Sequence, residues 1–211
     1  KAPGLLREPP DYFFRTIDLV RAQVGDRVSV HGEVFSPFTH LMELFSYEDA
    51  LTHLALDPEK AEAILDRLAD ASIAWGLAQA RHGVDAVLRS SAYAGGGFIS
   101  SRMYRRFVLP YERRVIAAIH AGAPGVPVYT HTCGHLNDRL ELLMETGTDG
   151  VDTLDPPQIG DTELADAKRR IGDRMFIKGN MHSAYLLQAA RVDEVREHAR
   201  ERLRDGIPGG G

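Results

Sequence analysis

The chain has 211 residues, of which 44% are hydrophobic and 26% charged, with a formal net charge of −5. These values fit one soluble globular domain with a sizeable core, and the acidic balance argues against nucleic acid, whose phosphates want a basic surface. No stretch approaches the roughly 20 apolar residues of a membrane-spanning helix, and a single cysteine excludes an intrachain disulfide, which suits a reducing, cytoplasmic setting.

The first ten residues hold three prolines and read as an arm, without the basic, apolar and small-residue regions of a signal peptide. Helical spacing from Asp11 to Gln23 stops at Gly25. The alternation Arg27-Val28-Ser29-Val30-His31-Gly32-Glu33 predicts a strand, with Ser29, His31 and Glu33 on one face. A short helix is expected over Thr39 to Phe45. Asp57-Pro58-Glu59 is a strong helix start, and the apolar face at Ala61, Ile64, Leu65, Leu68, Ile73 and Leu77 carries that helix to about Arg81. Val84 to Leu88 reads as a strand, and Ser90 to Gly97 as a small-residue loop. Tyr93 and Gly95 to Gly97 suit either a mobile lid or a plain solvent loop.

One long helix should follow from Ser101 to His120, then a strand ending in His131-Thr132-Cys133. Further helices over Leu136–Glu145 and Thr162–Ile171 flank strands at Gly150–Leu154 and Met175–Lys178. A last helix, Val192–Leu203, should turn Val192, Val195 and Leu203 inward. Five strands alternating with helices imply parallel βα units. The dinucleotide-binding spacing G-x-G-x-x-G is absent. Polar residues stand at the ends of several strands, at Glu33, Arg89, Cys133, Asp155 and Asn180. That pattern favours a (β/α)₈ TIM barrel, incomplete here, over a doubly wound sheet. Residues 1–211 read as a single partial domain. Five strands leave two open edges, which predicts a homodimer or poor stability in isolation.

The most informative residues are His131-Thr132-Cys133-Gly134-His135. In a strand, positions i and i+2 share a face, so His131 and Cys133 point together and could share one soft cation such as zinc. The alternative is a half-buried cysteine beside a surface histidine. Glu33 reads as a catalytic acid, base or ligand, or else as a rim carboxylate. Asp155 precedes two prolines that hold its backbone extended, so it reads as a substrate-orienting or ligand-supporting group; Asp152 leans toward turn chemistry. Lys178 suits an anionic substrate or plain solvent. Asn180, next to Gly179, and Tyr93 are the other candidate substrate-binding residues. His182 carries little weight alone.

Several segments together resemble the uroporphyrinogen decarboxylase superfamily, which includes methylcobamide:thiol methyltransferases. These are Phe107-Val108-Leu109-Pro110-Tyr111, His131-Thr132-Cys133-Gly134, the run from Asp149 to Pro157, and Lys178-Gly179-Asn180. The likeness extends from about Val28 to Gly211. It implies a (β/α)₈ barrel with two earlier βα units and a final strand, so the chain, which opens at Lys1 and stops in a glycine run, is expected to be a piece of something longer. In the methyltransferase branch the zinc ligands form a His-x-Cys pair followed much later by a second cysteine. His131 and Cys133 match the pair, and the third ligand would lie beyond Gly211. His135, Glu33 or water would otherwise have to substitute. The resemblance implies a small thiol or tetrapyrrole substrate and a corrinoid protein as methyl donor. The alternatives are porphyrinogen decarboxylation, whose pattern lacks His-x-Cys, and a non-catalytic tetrapyrrole- or corrinoid-binding barrel. Ser90-Ser91-Ala92-Tyr93-Ala94-Gly95 departs from the acidic residue and apolar run that many relatives carry there.

Overall fold

Five parallel strands pair in the order in which the chain makes them: β1 (His31–Phe35), β2 (Ala86–Ser90), β3 (Val128–His131), β4 (Gly150–Asp152) and β5 (Phe176–Lys178). The structure is a computed structural model and describes residues 8–188 and 191–210. Residues 1–7 of the expected N-terminal arm therefore lie outside it. A doubly wound sheet reverses its strand order at a switch point. No reversal occurs here, so every crossover returns the same way and the helices collect on one face, as in a barrel wall. Val34, Val87 and Val128 point to that face and pack on Ala69, Val115, Ile116 and Ile119. The other face carries Glu33, Tyr129, His131, Asp152 and Lys178, the alternate residues of the same strands. Among the described residues the outer edges of β1 and β5 have no strand partner.

Two strands sit further along the chain than their alternation predicts. Gly25–Arg27 forms a 3₁₀ turn, so the first strand begins at His31 rather than Arg27. The second runs from Ala86 rather than Val84. Arg89 is a correction of another kind. It shares parity with Val87, so it faces the helices instead of the mouth, and it is fully buried against Glu112.

Four helices, starting at Pro37, Tyr47, Pro58 and Ser101, begin at side-chain caps. In α1 (Arg15–Val24) the stop is Gly25 at φ +56°. α2 (Pro37–Leu44) begins where the Ser36 hydroxyl accepts the Thr39 amide, with Pro37 in the first turn. α3 (Tyr47–Leu56) was not expected, yet Ser46 caps it by accepting from the Asp49 amide at 3.1 Å, and it buries Ala50 and Leu54. α4 (Pro58–Arg81) is the helix expected from Asp57-Pro58-Glu59.

The helix expected over 101–120 is two helices, α5 (Ser101–Phe107) and α6 (Leu109–Gly122), broken at Val108. Pro110 has no amide to continue the ladder, which accounts for the break. α7 (Leu140–Glu145) starts four residues later than expected, because the Asp161 carboxylate takes the Leu136 and Asn137 amides at 2.8 and 3.1 Å and holds them in a loop. α8 (Leu164–Ile171) and the short α9 (Ser183–Gln188), which was not expected, lead to α10 (Val192–Gly206). Of the inward face expected on α10, Val195 is half-buried, whereas Val192 is 67% and Leu203 55% exposed. That helix packs on α8 at the open edge of the sheet, and Tyr185 of α9 stands 6.3 Å from its His198, ring centre to ring centre.

Candidate metal and substrate site on the inner face

His131 ends β3 and Cys133 follows two residues later, both on the inner face, with Nε2 and Sγ 3.3 Å apart. Two donors on one tetrahedral zinc, at ordinary Zn–S and Zn–N lengths, stand about 3.5 Å apart. The pair therefore fits as two members of a ligand set. Among the described residues no third histidine, cysteine or carboxylate joins it. His135 turns to Asp161 at 3.6 Å, and the exposed Glu33 side chain stays apart on β1. Neither of the two side chains expected as a substitute third ligand joins the pair.

The pair is held from both sides. Gly134, at φ +79°, makes the turn after Cys133, and its amide donates to the Asp155 carboxylate at 2.6 Å. Asp155 thus fixes the backbone that carries the thiol. Burial raises the Cys133 thiol pKa, and the carboxylates of Asp155 and Asp152 raise it further, so the sulfur keeps its proton unless a cation displaces it.

The loop that reads as either a lid or a plain solvent loop is fastened to this turn. Arg139, fully buried, donates to the carbonyls of Ala94 at 2.7 Å and Ile99 at 3.0 Å, and the Gly96 amide donates to the His135 carbonyl. A Cβ on Gly95 would lie 2.1 Å from the Cys133 carbonyl oxygen. The glycine is there for close approach, not for mobility. Tyr93 sits on the same loop, packed with Tyr47 and Phe98 at ring separations of 5.5 and 5.4 Å. Its hydroxyl donates to Glu43, which pushes its pKa up to about 12.

Lys178, on β5, faces inward with its ammonium 4.6 Å from the centre of the Tyr129 ring and 3.1 Å from the Asp152 carboxylate. Burial works against its charge, but Asp152 and Tyr129 more than offset this and the pKa is raised. Tyr129 in turn meets His31 Nδ1 at 2.8 Å, and His31 Nε2 meets the Ser29 hydroxyl at 2.7 Å. A polar file therefore crosses the inner face from β1 to β5. Asn180 stands outside it. Its side chain is buried, donating to the Thr162 carbonyl at 2.8 Å and accepting from Arg202 at 3.2 Å. His182 accepts from the Tyr185 amide.

Sequence reasoning left out Tyr129, although its parity with His131 and Cys133 places it on the same face. It also left out Thr153, whose φ of +62° no sequence pattern signals.

A parallel sheet wound in sequence order, with polar groups gathered toward the carboxyl ends of its strands, defines a domain of the (β/α)₈ TIM-barrel class with five of the strands present. The uroporphyrinogen decarboxylase (URO-D) family model matches residues 5–211, and the chain belongs to that family. The methylcobamide:CoM methyltransferase MtaA of Methanosarcina barkeri is 27% identical over 191 residues, covering 90% of this chain and 54% of that protein. The uroporphyrinogen decarboxylase of Pectobacterium atrosepticum is 34% identical over 194 residues, covering 87% and 52%. A solved methyltransferase from Methanosarcina mazei superposes with a TM-score of 0.81 at 24% identity, covering 92% of this chain and 55% of that one. The chain spans about half the length of the curated relatives it matches. Among the described residues no helix is long and apolar enough to cross a membrane.

Proposed function

We propose that the chain carries part of the metal site of a zinc-dependent methyltransferase acting between a corrinoid protein and a small thiol. The observation that supports this is the His131–Cys133 pair, with nitrogen and sulfur 3.3 Å apart on the inner face. His131 and Cys133 would hold the zinc, with the remaining donor supplied from outside the described residues. Bound there, zinc would supply Lewis acidity that keeps a thiol as thiolate at neutral pH.

The chain's own groups have separate tasks. Asp155 fixes the Cys133 turn through the Gly134 amide. Lys178 sets a positive charge on the same face and draws an anionic substrate toward it. The loop held by Arg139 keeps the turn packed from above. Glu33, exposed on β1, stands as an acid or base for substrate rather than as a ligand. A reducing, cytoplasmic setting goes with a free thiol in this role.

The test is zinc content of the intact protein beside its Cys133→Ala variant, followed by methyl transfer from a methylated corrinoid to a thiol. Stoichiometric zinc in the parent and its loss in the variant is the expected result. Absence of zinc from both refutes the reading. A second reading, porphyrinogen decarboxylation, is favoured by curated decarboxylases at 34% identity. Turnover of a porphyrinogen that persists in Cys133→Ala would select it.

A further inference from the structure

Thr153 holds a β-branched side chain at φ +62°, a backbone region that such residues rarely enter. There its hydroxyl lies 3.2 Å from His131 Nδ1 and 3.3 Å from the Asp152 carboxylate. Asp152 is paired across the ladder with both His131 and Lys178, and its other oxygen accepts from the Lys178 ammonium at 3.1 Å. The hydroxyl has one proton. Asp152, anchored by Lys178 and able only to accept, receives it as a hydrogen bond. The hydroxyl oxygen is then left as an acceptor facing Nδ1, so Nδ1 must carry the ring proton. Nε2, facing the Cys133 sulfur at 3.3 Å, keeps its lone pair.

We infer that Thr153 is a positioning residue, which with Asp152 fixes His131 as the Nδ1–H tautomer and so turns the Nε2 lone pair to the side where Cys133 stands. The inference deepens the metal reading, because a histidine ligand must present a lone pair and is commonly oriented by a group on its other nitrogen. It also explains why an unfavourable backbone is retained at 153: it brings this hydroxyl to that nitrogen.

The test is the tautomer itself, read from ¹⁵N chemical shifts and long-range ¹H–¹⁵N couplings of His131. The measurement uses the labelled, metal-free full chain at a pH of about 8, where an ordinary imidazole is neutral. His131 is expected as Nδ1–H in the parent and in Thr153→Ser, which keeps the hydroxyl. In Thr153→Val the ratio of Nδ1–H to Nε2–H should fall about fivefold, the factor given by one hydrogen bond of ordinary net strength. Nε2–H as the main form in the parent overturns the inference without any variant. A Thr153→Val ratio equal to the parent's overturns it as well. Zinc content is measured on separate samples, so the metal reading can fail while the tautomer result stands, and the reverse.

Discussion

Glu112 is the residue whose loss should cost this fold most. Its carboxylate, 1% exposed, sits against the Arg89 guanidinium and accepts from the hydroxyls of Ser91 at 2.5 Å and Tyr104 at 3.2 Å. Arg89 reaches only one other side chain, Thr130, and its Nε has no partner among the described residues. Replacing Glu112 by Leu strands a fully buried cation between sheet and helix. Breaking a buried pair in this way costs about 3–5 kcal/mol, out of a typical total of about 5–15 kcal/mol. For a chain of this size, about 4 kcal/mol is a fall in Tm of about 8–16 °C.

The double variant Arg89→Met with Glu112→Leu leaves no stranded charge and should recover at least about 2 kcal/mol of the loss. Urea unfolding of the parent, both single variants and the double, compared at equal m-values, measures the coupling. The reasoning is refuted if Glu112→Leu costs less than about 1 kcal/mol, within the range of an exposed pair. It is also refuted if the double is as unstable as the two singles summed.

Arg139→Met should free the loop it holds through Ala94 and Ile99, so limited proteolysis between Gly95 and Phe98 should become markedly faster; an unchanged cleavage pattern would show that the loop does not depend on that clamp. Asp85 accepts from the Val30 amide and the Arg21 guanidinium, which hold its carboxyl below its ordinary 3.8. A depressed folded value gives stability that is complete above the unfolded value and is lost as pH falls through the folded one. Asp85→Asn should therefore lose less stability than the parent on acidification below about pH 4, and parallel acid limbs in a pH series of urea melts would contradict this.

The strand rhythm, the inward parity of His131 and Cys133, and the caps at Asp57 and Pro58 were legible because each depends on neighbours a few residues away. Features that depend on distant partners were not. Arg89 reads from its own surroundings as a strand-end charge, and only α6 supplies the Glu112 that makes it a core residue. Gly95 and Gly96 look the same in a sequence whether a loop is loose or pressed onto a neighbour. Here a Cβ at Gly96 would come within 3.1 Å of His135, so the second case holds. Asn180 combined a permissive neighbour with a versatile amide, but Thr162 and Arg202, from elements the local pattern could not place beside it, occupy both ends of that amide. Asp152 leaned toward turn chemistry in the sequence, yet the ladder sets it between His131 and Lys178. Thr153 depended on a backbone conformation that its residue type disfavours, so propensity pointed away from it.

The sequential strand order bears on how the molecule is made. Each of β2 to β5 pairs with the strand synthesised immediately before it. A nascent chain can therefore lengthen the sheet from one edge as it leaves the ribosome, without waiting for a distant partner. The donor pair benefits most, since one strand end supplies both His131 and Cys133. Once β4 brings Asp152 and Thr153 alongside, the imidazole has its neighbours, and β5 then adds the Lys178 that steadies the carboxylate. The His131–Cys133 pair is thus assembled before β5 joins the sheet, whose outer edge has no strand partner among the described residues.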